Sequence, residues 1–356
     1  MSHKFDESEM HPCRRNQIDF VAKSVCRTPK RDLLRIINNS MFRRLAILLA
    51  FISAFASCRV AYDPYMTSRL GTTEYYRWDI KSLDTVSIYN LRILDKGTFK
   101  MEEGIDTTGM AVLKISGSGQ YSVGQFRRLV DTLKQYSGDR KLYFIDLREE
   151  SHCFANYYPV SWFLAQNVAN KGLSLKDVEK DERTRFPKMK GKQLAIYNKV
   201  SGEKAGVDSI AMTVDKVFFE KDLVEGSGFG YLRIPCTDHL WPDPCDIDAF
   251  IDFIKGIDTD SVWMHFHCVA GKGRTGAFMC LYDMMKSPGV SYEDISDRQS
   301  ALGASSMRVK HRDPAKPDEK ADNNERVSRL LYQYVQESRA DGYKVSWTDW
   351  LSAHGE

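Results

Sequence analysis

The chain has 356 residues, of which 42% are hydrophobic, and its 51 Lys and Arg against 48 Asp and Glu give a formal net charge of +3. These values are typical of a soluble globular protein with one large domain or two ordinary ones. The surplus of positive charge lies in residues 1–57, which hold 10 basic and 5 acidic side chains, whereas the remaining residues hold 41 and 43. Because no basic arm remains outside that segment, we expect no nucleic-acid partner, and any anion site has to be built locally.

Residues 41–58 have the form of an export signal. The basic start MFRR is followed by the 13-residue apolar run LAILLAFISAFAS and then by Cys58, in the order expected of a signal peptide. The apolar run is too short to cross a bilayer core, which takes about 20 residues. The sequence FASC is similar to a bacterial lipobox with Phe in place of Leu, so simple cleavage and lipidation of Cys58 both stay open.

Export predicts a periplasmic protein, a membrane-anchored lipoprotein or a secreted one, and it limits any membrane contact to a lipid on Cys58. Residues 1–40 are then a doubtful extension, best explained by a start codon assigned too far upstream. The alternative is a cytoplasmic extension before a signal anchor. Residues 59–356 are predicted to form a single domain.

The first half of this domain predicts strands and helices in alternation. TTEYYRWDI and SLDTVSIYNLRIL suggest short strands, SVGQFRRLVDTLKQYSG an amphipathic helix, and KLYFIDLREESH an apolar strand that ends in charged residues. A strand, a helix and a strand in succession favour a parallel sheet. Residues 160–185 are predicted to be mostly helical. GKQLAIYNKV and SIAMTVDKVFF alternate around the turn SGEKAG, which predicts a small β insert.

The second half continues the alternation. GYLRIPCTDH predicts a strand with a polar end, DPCDIDAFIDFIKGI a helix, SVWMHFHC a buried strand, and residues 273–286 a helix. Residues 300–324 are polar and predict a loop with several basic side chains, Lys310 among them, before the closing amphipathic helix ERVSRLLYQYVQESR. The predicted fold class is therefore α/β, with a mostly parallel central sheet flanked by helices.

The segment HFHCVAGKGRTG joins the last predicted strand to its helix and predicts an anion site. We call residues 268–274 the anion loop; they are Cys268, Val269, Ala270, Gly271, Lys272, Gly273 and Arg274. The glycines allow backbone N–H groups to converge on an anion, and the helix N-terminus adds partial positive charge. A planar guanidinium at Arg274 can donate to two oxygens of a tetrahedral dianion.

The same positive field stabilises a thiolate, so Cys268 is predicted to be a nucleophile at neutral pH. Thr275 is placed to donate its hydroxyl to the cysteine sulfur, and His267 can hydrogen-bond behind the loop. The alternative is that Cys268 is simply a buried cysteine at the end of a strand. A nucleotide-binding GxxxxGK[ST] loop is excluded, because Phe266 stands in the place of its first glycine and Gly273 in that of its Ser/Thr.

Displacement of an alkoxide from phosphorus also needs an acid for the leaving oxygen. Asp238 in TDHLWPDP is the candidate, because it ends an apolar strand and lies thirty residues before Cys268. Asp243 competes with it, because WPD resembles the acid loop of tyrosine phosphatases. A solvated turn residue is the ordinary role of either side chain.

The segments HFHCVAGKGRTGAFM, RIPCTDHLWPDPCDIDAF, DLREESHCF and VANKGLS together resemble the exported bacterial cysteine phytases, the protein-tyrosine-phosphatase-like inositol polyphosphate phosphatases. The likeness runs from about residue 76 to residue 351. It implies a cysteine-phosphatase fold with a small inserted β-barrel, formed by about residues 190–225 and part of 63–105. It also implies that Cys268, Arg274 and Asp238 carry the catalysis and that Asp238, rather than Asp243, is the acid.

The resemblance assigns further residues by position. His239 looks like a substrate contact, Arg148 and Glu150 look like supports of the anion loop, and Arg77 and Lys199 lie roughly where the family places phosphate-binding bases. Asn167 stands where the family often has an acidic residue. Lys272 resembles the lysine of tensin-type phosphoinositide phosphatases, whose loop reads HCKAGKGRTG, and an added cation there should favour a highly phosphorylated ring; a solvated lysine is the alternative.

Together these features predict a two-step phosphomonoesterase acting on phytate or a lower inositol polyphosphate, with no cofactor and no metal. A phosphotyrosine, dual-specificity or phosphoinositide phosphatase is the alternative enzyme, and an inactive inositol phosphate binding module the alternative outside enzymes. No Cys/His cluster has zinc spacing. We also consider a disulfide between Cys236 and Cys245, because the two cysteines bracket the acid segment and export favours disulfides.

Overall fold

The structure is a computed structural model that describes residues 75–80, 87–95, 97–99, 101, 103–163, 169–197, 209–309 and 317–356. The chain divides into two units, Met1–Gly71 and Thr72–Glu356, and the described residues all lie in the second. The predicted signal segment 41–58, with Cys58, lies outside them. Within the described part of the chain, every helix is too short or too polar to span a membrane.

Strands and helices alternate along the first half of the described chain. They are β1 (Tyr75–Trp78), β2 (Arg92–Leu94), β3 (Ile115–Ser118), α1 (Val123–Ser137), β4 (Lys141–Asp146), β5 (His152–Ala155), β6 (Tyr158–Phe163) and α2 (Leu175–Arg185). Short 3-10 helices cover Met110–Val112 and Phe186–Met189.

The second half begins with strands and ends with helices. Its elements are β7 (Gln193–Tyr197), β8 (Ser209–Thr213), β9 (Val217–Phe218), α3 (Glu220–Gly226), β10 (Gly230–Arg233), α4 (Pro244–Lys255), β11 (Val262–His267), α5 (Gly273–Lys286), α6 (Tyr292–Ala301), α7 (Glu319–Ser338) and α8 (Trp347–Ala353). A further 3-10 helix covers Arg339–Asp341.

The central sheet has five strands in the order β10-β4-β11-β3-β2. The first four are parallel, and β2 runs antiparallel to β3 at the edge. This arrangement confirms the predicted α/β class with a mostly parallel sheet. Because parallel strands end at the same edge, the residues that follow β3, β4, β10 and β11 meet there.

Helices cover both faces of the central sheet, because its strands are apolar on both sides. Phe144 and Trp263 belong to one buried cluster with α1 and α3, whereas Ile145 and Phe266 belong to the other with α4, α5, α7 and α8. The strand β11 is buried along its whole length. A buried central strand gives the residues after it a rigid starting point.

Helix α1 begins at a capping box that the sequence SVGQ encodes. The Ser122 hydroxyl accepts from Gln125 N at 3.2 Å, and the Gln125 side chain accepts from Ser122 N at 2.8 Å. These two bonds satisfy N–H groups that the helix cannot pair internally. The cap fixes the chain between β3 and α1, and this segment lies beside the anion loop.

A second sheet of six strands has the order β8-β7-β1-β6-β5-β9. It packs around a separate apolar cluster that includes Trp78, Val160, Phe186 and Ile196. As predicted, residues from the 190–225 segment and a strand from the 63–105 segment share this sheet. Within the described strands, β8 and β9 each have one neighbour, so the pairing is that of an open sheet.

Two predicted elements differ from the structure. Residues 160–163, predicted to be helical, belong to β6, because YPVSWF pairs with both β1 and β5 and buries five of its six residues. Pairing on two sides outweighs local helix propensity. The predicted loop 300–324 ends earlier than expected, since Asp318 caps α7 by accepting from Ala321 N at 3.0 Å.

Candidate active site

The anion loop connects β11 to α5 at the edge of the central sheet where the parallel strands end. Cys268 follows β11 directly and is 3% exposed. Val269 and Ala270 are half-buried, and Lys272 and Gly273 are exposed. The loop therefore has a buried sulfur at its base and an accessible rim at the start of α5.

Donors outside the loop hold its carbonyl groups. The bonds run to Val269 O from Gln120 N (3.1 Å), to Gly271 O from Arg92 Nη1 (2.7 Å) and Asn90 Nδ2 (2.9 Å), and to Lys272 O from Ser305 N (3.2 Å). In a planar trans peptide the next N–H points to the opposite side. The N–H groups of Ala270, Lys272 and Gly273 thus point away from these donors, where they can bind an anion.

Gly271 is the position in the loop where only glycine fits. Its φ is +68°, and a Cβ built there would lie 2.4 Å from the carbonyl carbon of Ser118. A side chain would therefore meet both strain and a backbone collision. Because Gly271 has no Cβ, the end of β3 can approach the loop closely.

Arg274 is buried at the first turn of α5 and is oriented by a carboxylate. Its Nη1 and Nη2 donate to the two oxygens of Glu150 at 2.6 and 3.1 Å. Burial opposes the charge on Arg274, but Asp238, Glu150 and Cys268 outweigh it and raise the pKa of Arg274 well above its usual value. The bidentate pairing fixes the plane of the guanidinium.

Six charged residues of alternating sign form what we call the charge ladder: Arg77, Asp79, Arg148, Glu150, Arg274 and Asp238. Successive ion pairs measure 3.1, 2.7, 3.0, 2.6 and 3.0 Å. Arg148 and Glu150 are fully buried, and the two arginines beside Glu150 hold the pKa of its carboxyl well below the usual range despite burial. Arg148 and Glu150 therefore lie behind the anion loop, where the sequence placed them.

Asp238 ends the charge ladder at the accessible side of Arg274. Its Oδ1 is 3.0 Å from Arg274 Nη2 and accepts from His239 N at 3.0 Å, and its side chain is 18% exposed. Asp243 instead is exposed and occupies the N-cap position of α4. The structure thus brings Asp238 to Arg274, as predicted of the acid. The His239 side chain is 64% exposed beside it, with Nε2 3.6 Å from Asp238 Oδ2.

His267 and Thr275 lie next to the loop and are fully buried. His267 Nε2 is 2.7 Å from Glu220 Oε1, which also accepts from the hydroxyl of Tyr121 at 2.5 Å. Thr275 Oγ1 has no hydrogen-bond partner among the described residues, so the predicted bond to the cysteine sulfur is not formed in this state. The carboxylate that faces His267 comes from α3, far away in sequence.

Of the remaining predicted residues, Arg77 and Lys272 lie within the described residues. Arg77 donates to Asp79 at 3.1 Å and lies 4.7 Å from the Phe163 ring centroid, so its guanidinium belongs to the charge ladder. Lys272 is exposed at the N-cap of α5. Lys199, Lys310 and Asn167 lie outside the described residues.

The hypothesis of a disulfide between Cys236 and Cys245 is wrong for this structure. Both residues are present as thiols, and Cys236 is buried. Burial, with the nearby Asp246, raises the pKa of the Cys236 thiol well above its usual value. The acid segment is held by Arg274, which donates to Cys236 O at 3.2 Å.

Asp146, His152 and Glu220 lie behind the loop with ligand-type atoms within 4.8 Å of one another. This spacing is compatible with a metal, but protein groups already use the cluster. Asp146 Oδ2 accepts from Tyr231 Oη at 2.8 Å and lies 3.3 Å from Arg233 Nε. Burial opposes a charge on His152, but Asp146 outweighs it and raises the pKa of His152 to about 9. A protonated histidine satisfies the carboxylates without an ion.

Several functional side chains were missed by the sequence interpretation. Asn90, Arg92 and Gln120 hold the anion loop or its supports, Asp79 joins two arginines, and Glu220 faces His267. One signal was present: an arginine inside the apolar strand LRIL suggests a buried partner. The others lie in loops or, for Glu220, at the start of α3, and their contacts depend on the fold.

The comparisons with known proteins agree with this geometry. A model of the protein-tyrosine-phosphatase-like phytase family, described by the term inositol hexakisphosphate, matches residues 145–286. That range contains Arg148, Glu150, Asp238 and the anion loop. The resemblance stated from the sequence motifs is thereby confirmed.

Two solved structures are similar over most of the described chain. The tandemly repeated protein tyrosine phosphatase like phytase from Mitsuokella multacida is 34% identical with a TM-score of 0.70, over 78% of this chain and 49% of that one. The PTP-like myo-inositol phosphatase from the same organism, in complex with myo-inositol-(1,3,4,5)-tetrakisphosphate, is 30% identical with a TM-score of 0.71, over 87% and 55%.

One curated protein is also similar to part of this chain. The effector protein hopD2 of Pseudomonas syringae pv. tomato is 30% identical over 191 residues, which are 53% of this chain and 40% of that protein. The chain thus spans between 40% and 55% of the length of these three proteins.

Proposed function

We propose that this chain, whose residues 145–286 match the protein-tyrosine-phosphatase-like phytase family, hydrolyses phosphate monoesters of myo-inositol through a covalent cysteinyl phosphate. The observation that carries the proposal is the convergence of three groups. Arg274 is held by Glu150 at 2.6 Å, is 3.0 Å from Asp238, and lies in the electrostatic range of Cys268. Nucleophile, anion clamp and acid thus share one site.

In the first step the Cys268 sulfur attacks phosphorus in line with the ester oxygen. The S–P bond forms, the P–O bond breaks, and the leaving alkoxide takes a proton from Asp238. Arg274 and the N–H groups of the anion loop stabilise the negative charge on the equatorial oxygens. Because Glu150 already orients Arg274, little reorganisation is needed when the phosphate arrives.

In the second step water attacks the phosphorus of the cysteinyl phosphate. Asp238, now ionised, takes the proton of that water, the P–S bond breaks, and inorganic phosphate and the Cys268 thiolate are released. The carboxyl returns to its starting state, so atoms and charge balance over the cycle. Thr275, with its buried unbonded hydroxyl beside the loop, is suited to donate to the departing sulfur in this step.

The substrate class follows from charge. An inositol polyphosphate carries several phosphates, of which one reacts and the others need cations at the rim. Lys272 is exposed at the start of α5, and the exposed His239 lies beside Asp238. The similar Mitsuokella enzyme in complex with myo-inositol-(1,3,4,5)-tetrakisphosphate supports the same class here. Lys199 and Lys310 stay predicted contacts for non-reacting phosphates.

Two finer expectations accompany this proposal. The segment 41–58 supports export to the periplasm, to a lipoprotein anchored through Cys58, or to the medium. The second sheet, which draws on both predicted parts of the insert, supports a separate small β module; its described strands form an open sheet, so the closed barrel stays a prediction.

The proposal is tested by release of inorganic phosphate from phytate and from a phosphotyrosine peptide, by the wild type and by Cys268→Ser. We expect turnover of phytate that the substitution abolishes. Turnover confined to the peptide would favour a tyrosine phosphatase and contradict the substrate class. Phytate binding without turnover would indicate a binding module, and turnover that survives Cys268→Ser would contradict the mechanism.

A further inference from the structure

A buried guanidinium lies beneath the anion loop and has no acidic partner among the described residues. Arg92 on β2 is 6% exposed. Its Nη1 donates to Gly271 O at 2.7 Å and to Asn90 O at 3.3 Å, while its Nε and Nη2 are buried without a hydrogen-bond partner in the part of the chain that the structure describes. Burying a cation in this way is costly unless a negative charge lies nearby.

Cys268 is the group placed to supply that charge. Burial lowers the pKa of Arg92 to about 10, and negative charge on Cys268 and Cys280 opposes this shift. The other titratable neighbours are neutral at pH 7, because burial raises the pKa of Cys280 and lowers that of His265 well below its usual value. Cys268 is therefore the neighbour whose sulfur, when ionised, would supply a counter-charge to Arg92.

Asn90 holds the same loop carbonyl from a second direction. Its Nδ2 donates to Gly271 O at 2.9 Å and to Gly303 O at 3.0 Å, and its own φ of +54° turns the side chain back toward the loop. Gly271 O thus accepts from two donors on the side of the protein interior. Since the peptide is trans, these bonds direct the N–H of Lys272 toward the anion.

We propose that Arg92 is a positioning residue of the active site, aided by Asn90, that orients the Gly271–Lys272 peptide and supplies the buried positive charge opposite the Cys268 thiolate. Arg92 acts through the loop and does not touch the substrate. The inference deepens the proposed function, on which its catalytic consequence rests. Its effect on the thiol, however, can be measured without any turnover.

The test follows alkylation of Cys268 by iodoacetamide across pH, read by mass spectrometry of the peptide that contains Cys268. In Arg92→Met we expect the midpoint to rise by about one pH unit, which lowers the alkylation rate by up to about tenfold at pH values below the wild-type midpoint. Arg92→Lys keeps a cation that can reach Gly271 O and should restore most of the shift. An unchanged midpoint in Arg92→Met would overturn the proposal.

Arg298→Met is the matched control for removal of a buried arginine. Arg298 is fully buried and pairs with Asp283 away from the loop, so its loss should lower stability and leave the Cys268 midpoint in place. If Arg298→Met moves the midpoint as far as Arg92→Met does, the effect is general loosening and the proposal fails.

Asn90→Gly provides a second variant should Arg92→Met not fold. Glycine accepts the positive φ without strain and removes the amide donor. We expect a smaller rise in the midpoint and a fall in kcat for phytate with little change in KM. If neither the alkylation midpoint nor kcat changes in Asn90→Gly, the role of the Gly271–Lys272 peptide is contradicted.

The two proposals fail in different ways. If wild-type Cys268 has a low midpoint that Arg92→Met leaves unaltered, the role of Arg92 is refuted and the proposed function stands. If wild-type Cys268 is alkylated like an ordinary thiol and no phosphate ester is turned over, the proposed function is refuted together with the role of Arg92.

Discussion

At the scale of single residues, the site separates groups that react from groups that hold them. Asp238 meets Arg274 at 3.0 Å on the accessible side, whereas Glu150 holds the same guanidinium from the buried side. The Asp238 carboxylate is half-buried and can exchange protons with a leaving group or water. The buried one, with its pKa held low by Arg274 and Arg148 despite burial, stays ionised and serves as an anchor.

Asp238→Asn is expected to reduce phytate turnover by about 10²- to 10⁴-fold, the usual contribution of a general acid and base. The same substitution should matter far less for the first step on p-nitrophenyl phosphate, whose leaving group needs no proton; a burst of nitrophenol reports this step. Asp243→Asn is the matched control, since Asp243 is exposed at the start of α4. An equal loss in the two variants would contradict the assignment of Asp238.

Glu150→Gln is expected to destabilise the fold by about 3 to 5 kcal/mol, the range for breaking a buried ion pair. The substitution leaves Arg148 and Arg274 with one carboxylate fewer between them. It should also lower kcat about a hundredfold by misorienting Arg274. Urea unfolding and steady-state kinetics measure the two effects, and Glu179→Gln on the surface of α2 is the control. If Glu150→Gln is as stable as Glu179→Gln, the ion pairs of Glu150 do not contribute to stability.

The residues that the sequence predicted at the site are those that chemistry restricts to one type. A nucleophilic thiol and a forked cation leave few alternatives, and Cys268 and Arg274 were singled out for that reason. The choice of Asp238 over Asp243 came from the resemblance to the phytase family. Asn90 and Gln120 could not be found in the same way. Asn90 donates from its side-chain amide, whereas Gln120 donates from its backbone N–H and accepts from Arg148 through its side-chain oxygen. Many loop residues in the chain could form such bonds, and only the fold decides which of them lie near the site.

At the scale of secondary-structure elements, β3 and the anion loop touch through backbone atoms. Gly271 tolerates the approach of Ser118 because it lacks a Cβ, and Gly119 is similarly close to the loop, with Val269 O 2.8 Å from a Cβ built on it. Backbone contact of this kind leaves no room for side-chain adjustment. The loop shape is thus set by the strand beside it.

Gly271→Ala is expected to lower stability by more than about 2 kcal/mol and to abolish turnover, because φ is positive and the new methyl would meet Ser118 at 2.4 Å. Gly226→Ala, near the end of α3 with no atom within 4 Å of the new methyl, is the control. Denaturant unfolding and phosphate release decide the outcome. Full activity in Gly271→Ala would show that the loop can shift to make room.

Elements with a strong period were predicted well, and elements that depend on distant partners were not. The helices α1 and α4 and the strands β4 and β11 follow their apolar patterns. The strand β6 does not, because its sequence is compatible with a helix until β1 and β5 supply hydrogen bonds on both sides. The strand order of the second sheet depends likewise on pairing between remote segments.

At the scale of the whole molecule, a second buried network lies behind the anion loop. His152 faces Asp146 at 3.4 Å, Glu182 at 3.4 Å and Glu220 at 3.6 Å, with Arg233 among the same carboxylates. This network joins β4, β5, α2, α3 and β10. Its charge state therefore affects the stability of the entire domain.

The free energy of unfolding is expected to fall as pH rises from about 6.5 to about 9. The pKa of His152 is raised from 6.5 to about 9, because nearby carboxylates outweigh burial. A raised histidine pKa contributes stability that is complete below the unfolded value and is lost as pH rises through the folded one. The contribution is about 3 kcal/mol at most. Urea unfolding at several pH values measures it.

The control for this prediction is His354→Gln at the exposed end of α8, which should keep the same pH slope. His152→Gln should be less stable than the wild type at pH 6. Its free energy of unfolding should also change less between pH 6.5 and pH 9. If the free energy of unfolding of His152→Gln depends on pH as steeply as that of the wild type, another group is responsible for the titration. The sequence alone offered no sign of this network, since its members are spread from residue 146 to residue 233.

The donors that hold the anion loop come from positions 90, 92, 120 and 305, and its arginine is oriented from position 150. These segments are far apart along the chain and close only after every strand of the central sheet has been placed. Thiol reactivity at Cys268 should therefore return in the last kinetic phase of refolding, after helical signal has recovered. Fragments cut within this span would regain secondary structure without regaining a reactive sulfur.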